Sequence, residues 1–498
     1  MTDAPISDAI EAAPLSTPTR ERAFRDVLVQ VVTKVANLAV GIVVTALIVR
    51  SLGDVGYGQW MTVLTAYQLI GYFTSLGLEA VTVREAAADP RRAADWVGAL
   101  LVTRLLLTLP VALVGLVVLL LIQESHAMLI AGLILLVEFP FGVGSSLAVV
   151  HQLQVRNTTP MVVLTVNSVL WGLCVLVIYL AGGGLVAMAI ALTIVTVITA
   201  TLQGWFAHRV MPLQLRPSRA SIVELIRVGA PLGVAGLLIT AYARIDQVIV
   251  FEQAGSQAAG FYGSAFRILE QAHFVPASVL TTIAPIVAAL YATDRARMLR
   301  VVTLASELLA IGALGGLAFA IVAADPFMRL IFGDEFAPAA QALPVLGGAF
   351  VFICYGYLSA NLLLVLGLAH RQIVVGSIAL VINVVGNLIL VSRHGFMAAA
   401  WMTLATELVV VVIGVWFIAR KLGRDSLTLG RLPRILAAAL VLFGALEGLD
   451  ALGAGLGWLA LASAVLYPAL LLGLRAVAPD EVRALLVRRG GGASPTPV

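Results

Sequence analysis

The amino-acid sequence predicts an all-α protein that crosses a membrane about fourteen times. Of its 498 residues, 61% are hydrophobic and only 12% are charged, which is unlike the composition of soluble proteins. The hydrophobic residues fall into runs of about 20, the length at which a helix spans a hydrocarbon core of about 30 Å. The basic residues collect in alternate gaps between those runs. Together these observations predict a polytopic helical membrane protein.

The predicted spans follow one another with short connecting segments. In order they are 27–50, 58–78, 96–121, 127–150, 160–180, 185–206, 223–251, 258–291, 298–322, 340–366, 373–392, 396–419, 435–448 and 455–474. The span at 435–448 is short for a crossing, whereas the span at 258–291 is overlong and polar.

The basic residues predict the orientation. With the N-terminus inside, 23 of the 31 Lys and Arg residues lie in inside segments and five lie within spans. Only Arg50, Arg329 and Arg393 lie outside. A missed span would reverse every later segment, so this asymmetry predicts an even number of spans with both termini cytoplasmic. The net charge of +4 then reflects topology, and we expect no binding to nucleic acid.

The sequence disfavours several classes of enzyme. Cys174 and Cys354 both lie within spans, so neither a disulfide framework nor a zinc site is predicted. No P-loop, dinucleotide-binding glycine pattern or metal-ligand spacing occurs. A polymer-building membrane enzyme would need carboxylates in an outer segment, and the first outer segment offers only Asp54. We therefore expect no catalytic residues, no cofactor and no metal.

An internal repeat relates the two halves of the chain. A shift of 205 residues aligns Ser51 with Ser256, Tyr57–Gly58 with Tyr262–Gly263, Asp89 with Asp294, and Arg92 with Arg297. The aligned pairs share one piece of topology: a glycine-rich outer turn, a span back inward and a basic inner segment. Six spans separate them, so the halves share orientation and are predicted to be related by an axis along the membrane normal. Two such bundles with a cleft between them are typical of transporters.

The repeat predicts a domain organisation. Two six-helix lobes are followed by two appended spans, and both ends of the chain lie in the cytoplasm. The predicted parts are a disordered N-terminus at 1–24, an N-lobe at 25–209, a C-lobe at 210–421, appended spans within 432–475 and a tail at 476–498.

Polar side chains line one face of spans 1, 2, 7 and 8, the spans that the repeat pairs. Lipid would not solvate such stripes, so we expect them to face the cleft. A charge at the bilayer centre costs at least about 2.5 kcal/mol, so cations there are seldom idle. The predicted substrate-binding residues are Lys34, Asn37, Gln68, Arg104, Arg244 and Arg267.

These cations have alternative roles. Arg244 could pair with Asp246, and Arg267 with Glu270, three positions along the same helix. Arg104 lies near the start of its span and could extend to the surface. Lys34 has no local partner in the sequence, which makes it the strongest ligand candidate.

Carboxylates within or near the spans are candidates for coupling transport to H+ or Na+. Burial raises the pKa of a carboxyl group, which suits proton exchange. The alternative is a neutral, hydrogen-bonded glutamate between helices. The coupling candidates are Glu138, Glu307, Glu407 and Glu270, and Glu79 also has no base beside it in the sequence.

Two segments resemble a known family. The stretch RSLGDVGYGQW at 50–60 resembles the opening motif of polysaccharide and oligosaccharide-lipid flippases. The stretch at 325–350 resembles the same family's outer amphipathic segment and following span. In layout the resemblance covers roughly residues 25–420. This family shares a superfamily of two six-helix lobes with the multidrug and toxin extruders and the lipid II flippases.

The resemblance implies a function. The chain would move a polyprenyl-diphosphate-linked glycan from the inner to the outer leaflet of the bacterial plasma (inner) membrane by alternating access, for cell-surface polysaccharide biosynthesis. Arg and Lys would pair with the diphosphate while the polyprenyl tail stays in membrane lipid. The arginine-bearing second span of lipid II flippases is missing, which argues against the peptidoglycan precursor.

Two other functions stay open at this point. A cation-coupled small-molecule exporter of the multidrug type would share the architecture, although an exporter of cationic drugs should have an acidic cleft. A membrane scaffold that does not transport would not need polar stripes.

Overall fold

The computed structural model of the chain describes residues 20–154, 158–212, 216–423 and 429–477. The description does not include the side chains of residues 20–39, 158, 232, 235 and 239. Within it the secondary structure is helical, with no β-strand.

The described residues contain fifteen α-helices. In chain order they are α1 Arg20–Ser75, α2 Leu78–Ala88, α3 Ala93–Ile122, α4 His126–Gly142, α5 Ala148–Leu153, α6 Thr158–Leu180, α7 Leu185–Val210, α8 Arg219–Ala272, α9 Phe274–Tyr291, α10 Arg295–Phe332, α11 Ala342–Val365, α12 Ala369–His394, α13 Phe396–Leu422, α14 Leu432–Ala451 and α15 Leu456–Gly473. Short 3-10 helices lie at Pro90–Arg92, Val143–Leu147 and Asp334–Gln341.

Twelve helical segments of the described chain are long and apolar enough to cross a membrane. Two of them, Val40–Ala88 and Gly236–Tyr291, are interrupted by a kink, and each overlaps two predicted spans. The chain is therefore a multi-pass membrane protein, which confirms the predicted class. The number of fourteen crossings stays a prediction. The span expected to be short is longer in the structure, because α14 extends over Leu432–Ala451.

The predicted span at 258–291 is not one helix. Helix α8 ends at Ala272 and α9 begins at Phe274. Pro276 has no amide hydrogen to bond the carbonyl of Ala272, so the regular helical ladder cannot continue there. The first half also has a break, without a proline, where α1 ends at Ser75 and α2 begins at Leu78.

Two glycines bend the longest helices at equivalent places. Gly53 in α1 has φ 66° and ψ −175°, and Gly255 in α8 has φ 86° and ψ 171°. Side chains with a Cβ rarely adopt positive φ, so glycine is required at both kinks. The kinks stand 202 positions apart, whereas Tyr57 and Tyr262 stand 205 apart. Three additional residues therefore follow the second kink.

This offset corrects one aligned pair. Ser51 lies two residues before its kink, whereas Ser256 lies one residue after the other, so these serines are not equivalent. Asp89 and Asp294 do occupy the same position. Both precede a helix with extended backbone (φ −133°, ψ 88° and φ −148°, ψ 89°). Each accepts a backbone N–H of the next turn through its carboxylate, which caps the helix.

The chain divides into two compact units, residues 1–260 and 261–498. The first has a core around Trp96, Leu100 and Leu225. In the second, α10 packs against α14 and α15 through Ala310, Ile435 and neighbouring residues. The predicted boundary between the N-lobe and the C-lobe, at 209/210, differs from the boundary between these two units. It stays a prediction.

Candidate functional site

Lys34 and Asn37 are the first predicted ligands along the chain. Both lie in α1, but their side chains lie outside the described residues. Their roles in binding substrate therefore stay predictions from the sequence.

Spans 2 and 7 are in polar contact within residues 1–260. The side-chain amide of Gln247 donates to the hydroxyl of Thr62 (3.5 Å) and to the carbonyl of Ala259 (3.0 Å). Gln247 is only 5% exposed and Thr62 is fully buried. The two spans thus contact each other through polar side chains. The hydrogen bonds of these side chains are made within the protein. Gln68, further along α1, is half-buried.

The backbones of α1 and α8 approach closely beyond the first kink. A Cβ on Gly58 would meet the carbonyl oxygen of Ser256, and would lie 2.8 Å from the backbone nitrogen of Gly260. At the other end of this contact, a Cβ on Gly233 would lie 2.6 Å from the carbonyl oxygen of Leu76. Only glycine permits these approaches, so the glycines hold the two helices against each other.

Arg104 lies in a polar cluster inside the first unit. Its Nη1 donates to Glu79 Oε1 (2.6 Å) and to the hydroxyl of Ser146, and its Nη2 lies 3.5 Å from the hydroxyl of Thr74. The residue is 9% exposed. Arg104 therefore does not extend to the surface, and Glu79 already neutralises it. Its role as a substrate ligand stays a prediction. The ion pair with Glu79 indicates the alternative, a structural role.

Replacing Arg104 by methionine should separate these two roles. We expect a loss of about 1–3 kcal/mol in stability, because the Glu79 carboxylate and the Ser146 hydroxyl lose their donor. The double variant Arg104→Met/Glu79→Gln should recover part of that loss in thermal unfolding of the purified protein. Arg84→Met is the control, because the Arg84–Glu85 pair is exposed and should contribute little. A transport defect with unchanged melting would instead identify Arg104 as a ligand.

Glu138 lies in α4 among aromatic and hydroxyl groups of the first unit. It is 3% exposed, and Tyr67 donates its hydroxyl to Glu138 Oε1 (2.9 Å). The Tyr67 ring stacks on Phe139 at 5.0 Å between centroids. This arrangement matches the neutral, hydrogen-bonded glutamate considered as an alternative, and it is also compatible with proton exchange.

In the second unit, Arg267 pairs with Glu270 (Nη1–Oε2 2.9 Å), the local pair that the sequence spacing suggested. The Arg267 side chain is 40% exposed while that of Glu270 is 14% exposed. One carboxylate contact leaves other N–H donors of the guanidinium available. In the first unit, Arg244 is half-buried, and Asp246 accepts the backbone N–H of Gln247.

Two further coupling candidates differ in their surroundings. Glu307 accepts the backbone N–H of Arg431 (2.7 Å) at the start of α14, with the Arg431 guanidinium 4.0 Å away. Glu307 therefore attaches an appended helix to α10. Glu407 in α13 is 8% exposed, and its Oε2 lies beside Gly356 of α11. No ion pair with Glu407 occurs among the described residues.

Among the described residues, no group of three or more His, Cys, Asp or Glu side chains is placed to hold a metal ion.

Asn387 donates to the carbonyl and side-chain oxygen of Asn383 one turn earlier, and both residues are buried.

Sequence analysis missed the partners of three carboxylates. Glu79 with Arg104, Glu138 with Tyr67 and Glu307 with Arg431 are far apart in sequence and meet only in the folded chain.

The sequence matches one family of known proteins. The profile of the family described as "Polysaccharide biosynthesis protein" covers residues 23–291, more than half of the chain. This match agrees with the resemblance drawn from the motif at 50–60. Comparison with curated proteins gives no match.

Solved structures share the fold. The lipid II flippase MurJ in an inward closed conformation aligns with a TM-score of 0.72 at 9% identity, over 93% of this chain and 100% of that chain. An inward-facing multidrug resistance MATE family transporter of the MOP superfamily aligns at 0.61 and 18% identity, over 78% and 95%. A MOP superfamily transporter from Pyrococcus furiosus aligns at 0.51 and 20%, over 78% and 93%. At such identities the likeness concerns the fold, and it confirms the predicted fold class.

Proposed function

Because the chain belongs to the family of polysaccharide biosynthesis proteins, we propose that it is a flippase for a polyprenyl-diphosphate-linked oligosaccharide. It would carry this substrate from the inner to the outer leaflet of the bacterial plasma membrane, with both of its termini in the cytoplasm. The observation that carries the proposal is the extent of the family match. Residues 23–291 include all four polar-striped spans and every predicted substrate-binding residue.

The charge of the in-span residues supports an anionic substrate. Guanidinium and ammonium groups form charge-assisted hydrogen bonds to phosphate oxygens. Arg267 keeps exposed surface beside its contact with Glu270 and so can still donate to a diphosphate. Lys34 and Arg244 are the other two cations that we propose as ligands. Arg104 is the weakest of the predicted ligands, because Glu79 and Ser146 already hold it.

Alternating access fits the two kinked helices. Gly53 and Gly255 take up backbone conformations that other residues avoid, and they stand at equivalent points of the repeat. We place the hinges of the rocking motion at these two glycines. The polyprenyl tail would stay in the membrane while the diphosphate and glycan pass through the cleft.

Coupling to an ion gradient would use a buried carboxylate without a cationic partner. Among the described residues, Glu138 and Glu407 are buried and form no ion pair. Glu307 and Glu270 each face an arginine, so protonating either would leave a cation unbalanced. We therefore favour H+ exchange at Glu138 or Glu407.

A gene deletion in the host bacterium tests the function. We expect the lipid-linked oligosaccharide to accumulate on the cytoplasmic leaflet and surface polysaccharide to fall, because synthesis continues while export stops. A membrane-impermeant glycosidase applied to spheroplasts measures the fraction on the outer leaflet, and the restored gene is the control. An unchanged leaflet distribution together with new sensitivity to cationic drugs would instead identify a multidrug-type exporter.

A further inference from the structure

Two aromatic–arginine motifs end equivalent helices, one in each unit. Helix α7 ends with Trp205, Phe206 and Arg209, and α13 ends with Trp416, Phe417 and Arg420. The spacing is identical: two adjacent aromatics, then an arginine four positions after the tryptophan. These helices are the sixth and twelfth predicted spans, so the motifs end corresponding spans of the two predicted lobes, at a separation of 211 residues.

The two motifs also share an arrangement of their side chains. Trp205 and Phe206 meet edge to face at 4.8 Å, and so do Trp416 and Phe417. The Arg209 guanidinium carbon lies 3.6 Å from the centre of the Trp205 ring, and that of Arg420 lies 4.8 Å from Trp416. Such stacking fixes a planar guanidinium and leaves the N–H groups at its edge free to donate.

Exposure shows that the motifs face away from the protein. Trp205 is 48% exposed and Trp416 is 49% exposed, and both arginines are exposed. Among the described residues, neither Arg209 nor Arg420 forms an ion pair with a carboxylate. Each stands in the last helical turn, on the side of the membrane that the basic residues mark as cytoplasmic.

A phosphate of a lipid headgroup meets these requirements. An indole ring is amphipathic and suits the boundary between hydrocarbon and headgroups, while the guanidinium fork suits phosphate. A soluble phosphate would use the arginine but leave the exposed ring uncovered, whereas a lipid covers both. Arg371 adds a second guanidinium at the motif of the second unit, 5.1 Å from the Phe417 ring centre.

We propose that the two motifs are binding sites for anionic phospholipid on the cytoplasmic leaflet, one in each unit. They would anchor the ends of the sixth and twelfth spans at a fixed depth in the membrane. This role goes beyond transport and does not depend on which substrate the protein carries.

Native mass spectrometry of the purified full-length protein with phosphatidylglycerol tests the proposal. Each of Arg209→Gln and Arg420→Gln should weaken binding about fivefold, because each removes the stacked guanidinium that would pair with the lipid phosphate. Arg300→Gln is the matched control, since it removes the same charge from an exposed residue on the same side that stacks on no aromatic ring of the described residues. It should change affinity less than about twofold.

Two further measurements separate the possible sources of phosphate. Phosphatidylcholine should bind more weakly than phosphatidylglycerol, and soluble glycerol phosphate should not displace the lipid. Arg209→Lys/Arg420→Lys should bind with intermediate affinity, because the charge remains while the stacked planar fork is lost. Equal losses from Arg300→Gln and from the motif variants would overturn the proposal, as would displacement by glycerol phosphate.

Discussion

Replacing Gly58 by alanine should destabilise the protein by about 1–3 kcal/mol, although alanine is the better helix former by about 1 kcal/mol. The added methyl group would meet the carbonyl of Ser256 and the backbone of Gly260, and backbone atoms cannot turn aside as a flexible side chain can. The two helices would have to separate. We expect a lower melting temperature of the purified protein and less protein in the membrane.

Gly316→Ala is the matched control for this change. Gly316 lies within α10, and among the described residues no atom beyond its chain neighbours and its own helix backbone would lie within 4 Å of an added Cβ. Alanine there should leave the melting temperature unchanged or raise it. If Gly58→Ala behaves like Gly316→Ala, the close approach of α1 and α8 does not hold these helices together.

Replacing Lys34 by alanine should reduce transport tenfold or more, and this is the largest functional effect that we expect. A charge-assisted contact to a phosphate contributes about 1.5–3 kcal/mol, and its loss changes binding by at least about tenfold. Lys34→Arg should keep part of the activity, because the charge survives with a different geometry. Initial rates of substrate movement in proteoliposomes, at matched protein levels, measure both variants.

A structural role for Lys34 makes a different prediction. A lysine that balances a carboxylate of another span would be rescued when that carboxylate is neutralised. The double variants of Lys34→Ala with Glu138→Gln and with Glu407→Gln test this. Rescue by either would show that Lys34 serves charge balance, and the ligand assignment would be wrong.

Local patterns predicted the parts of the structure that depend on neighbouring residues. Hydropathy and charge predicted the membrane class, and the glycine-rich motif at 50–60 contains the kink at Gly53. Asp89 and Asp294 were matched correctly because helix capping is a local interaction. Likewise, Arg267 and Glu270 pair because they stand one turn apart.

Contacts between distant segments could not be predicted in this way. Arg104 meets Glu79 across two helices, and Glu138 meets Tyr67 across a separation of 71 residues. Periodicity shows which face of a helix is polar, but it does not show which other helix that face meets. For the same reason, the sequence suggests Glu307 for ion coupling, whereas in the folded chain Glu307 accepts the backbone N–H of Arg431.

Reconstitution of the purified protein tests the central claim most directly. Liposomes would contain a fluorescent polyprenyl-diphosphate oligosaccharide in both leaflets, and a membrane-impermeant quencher would be added outside. The proposed function predicts that the quencher reaches the label of both leaflets when the protein is present, and that Lys34→Ala slows this process. If only the outer-leaflet label is quenched, as in protein-free liposomes, and a cationic drug is transported by the same preparation, the chain is not the flippase proposed here.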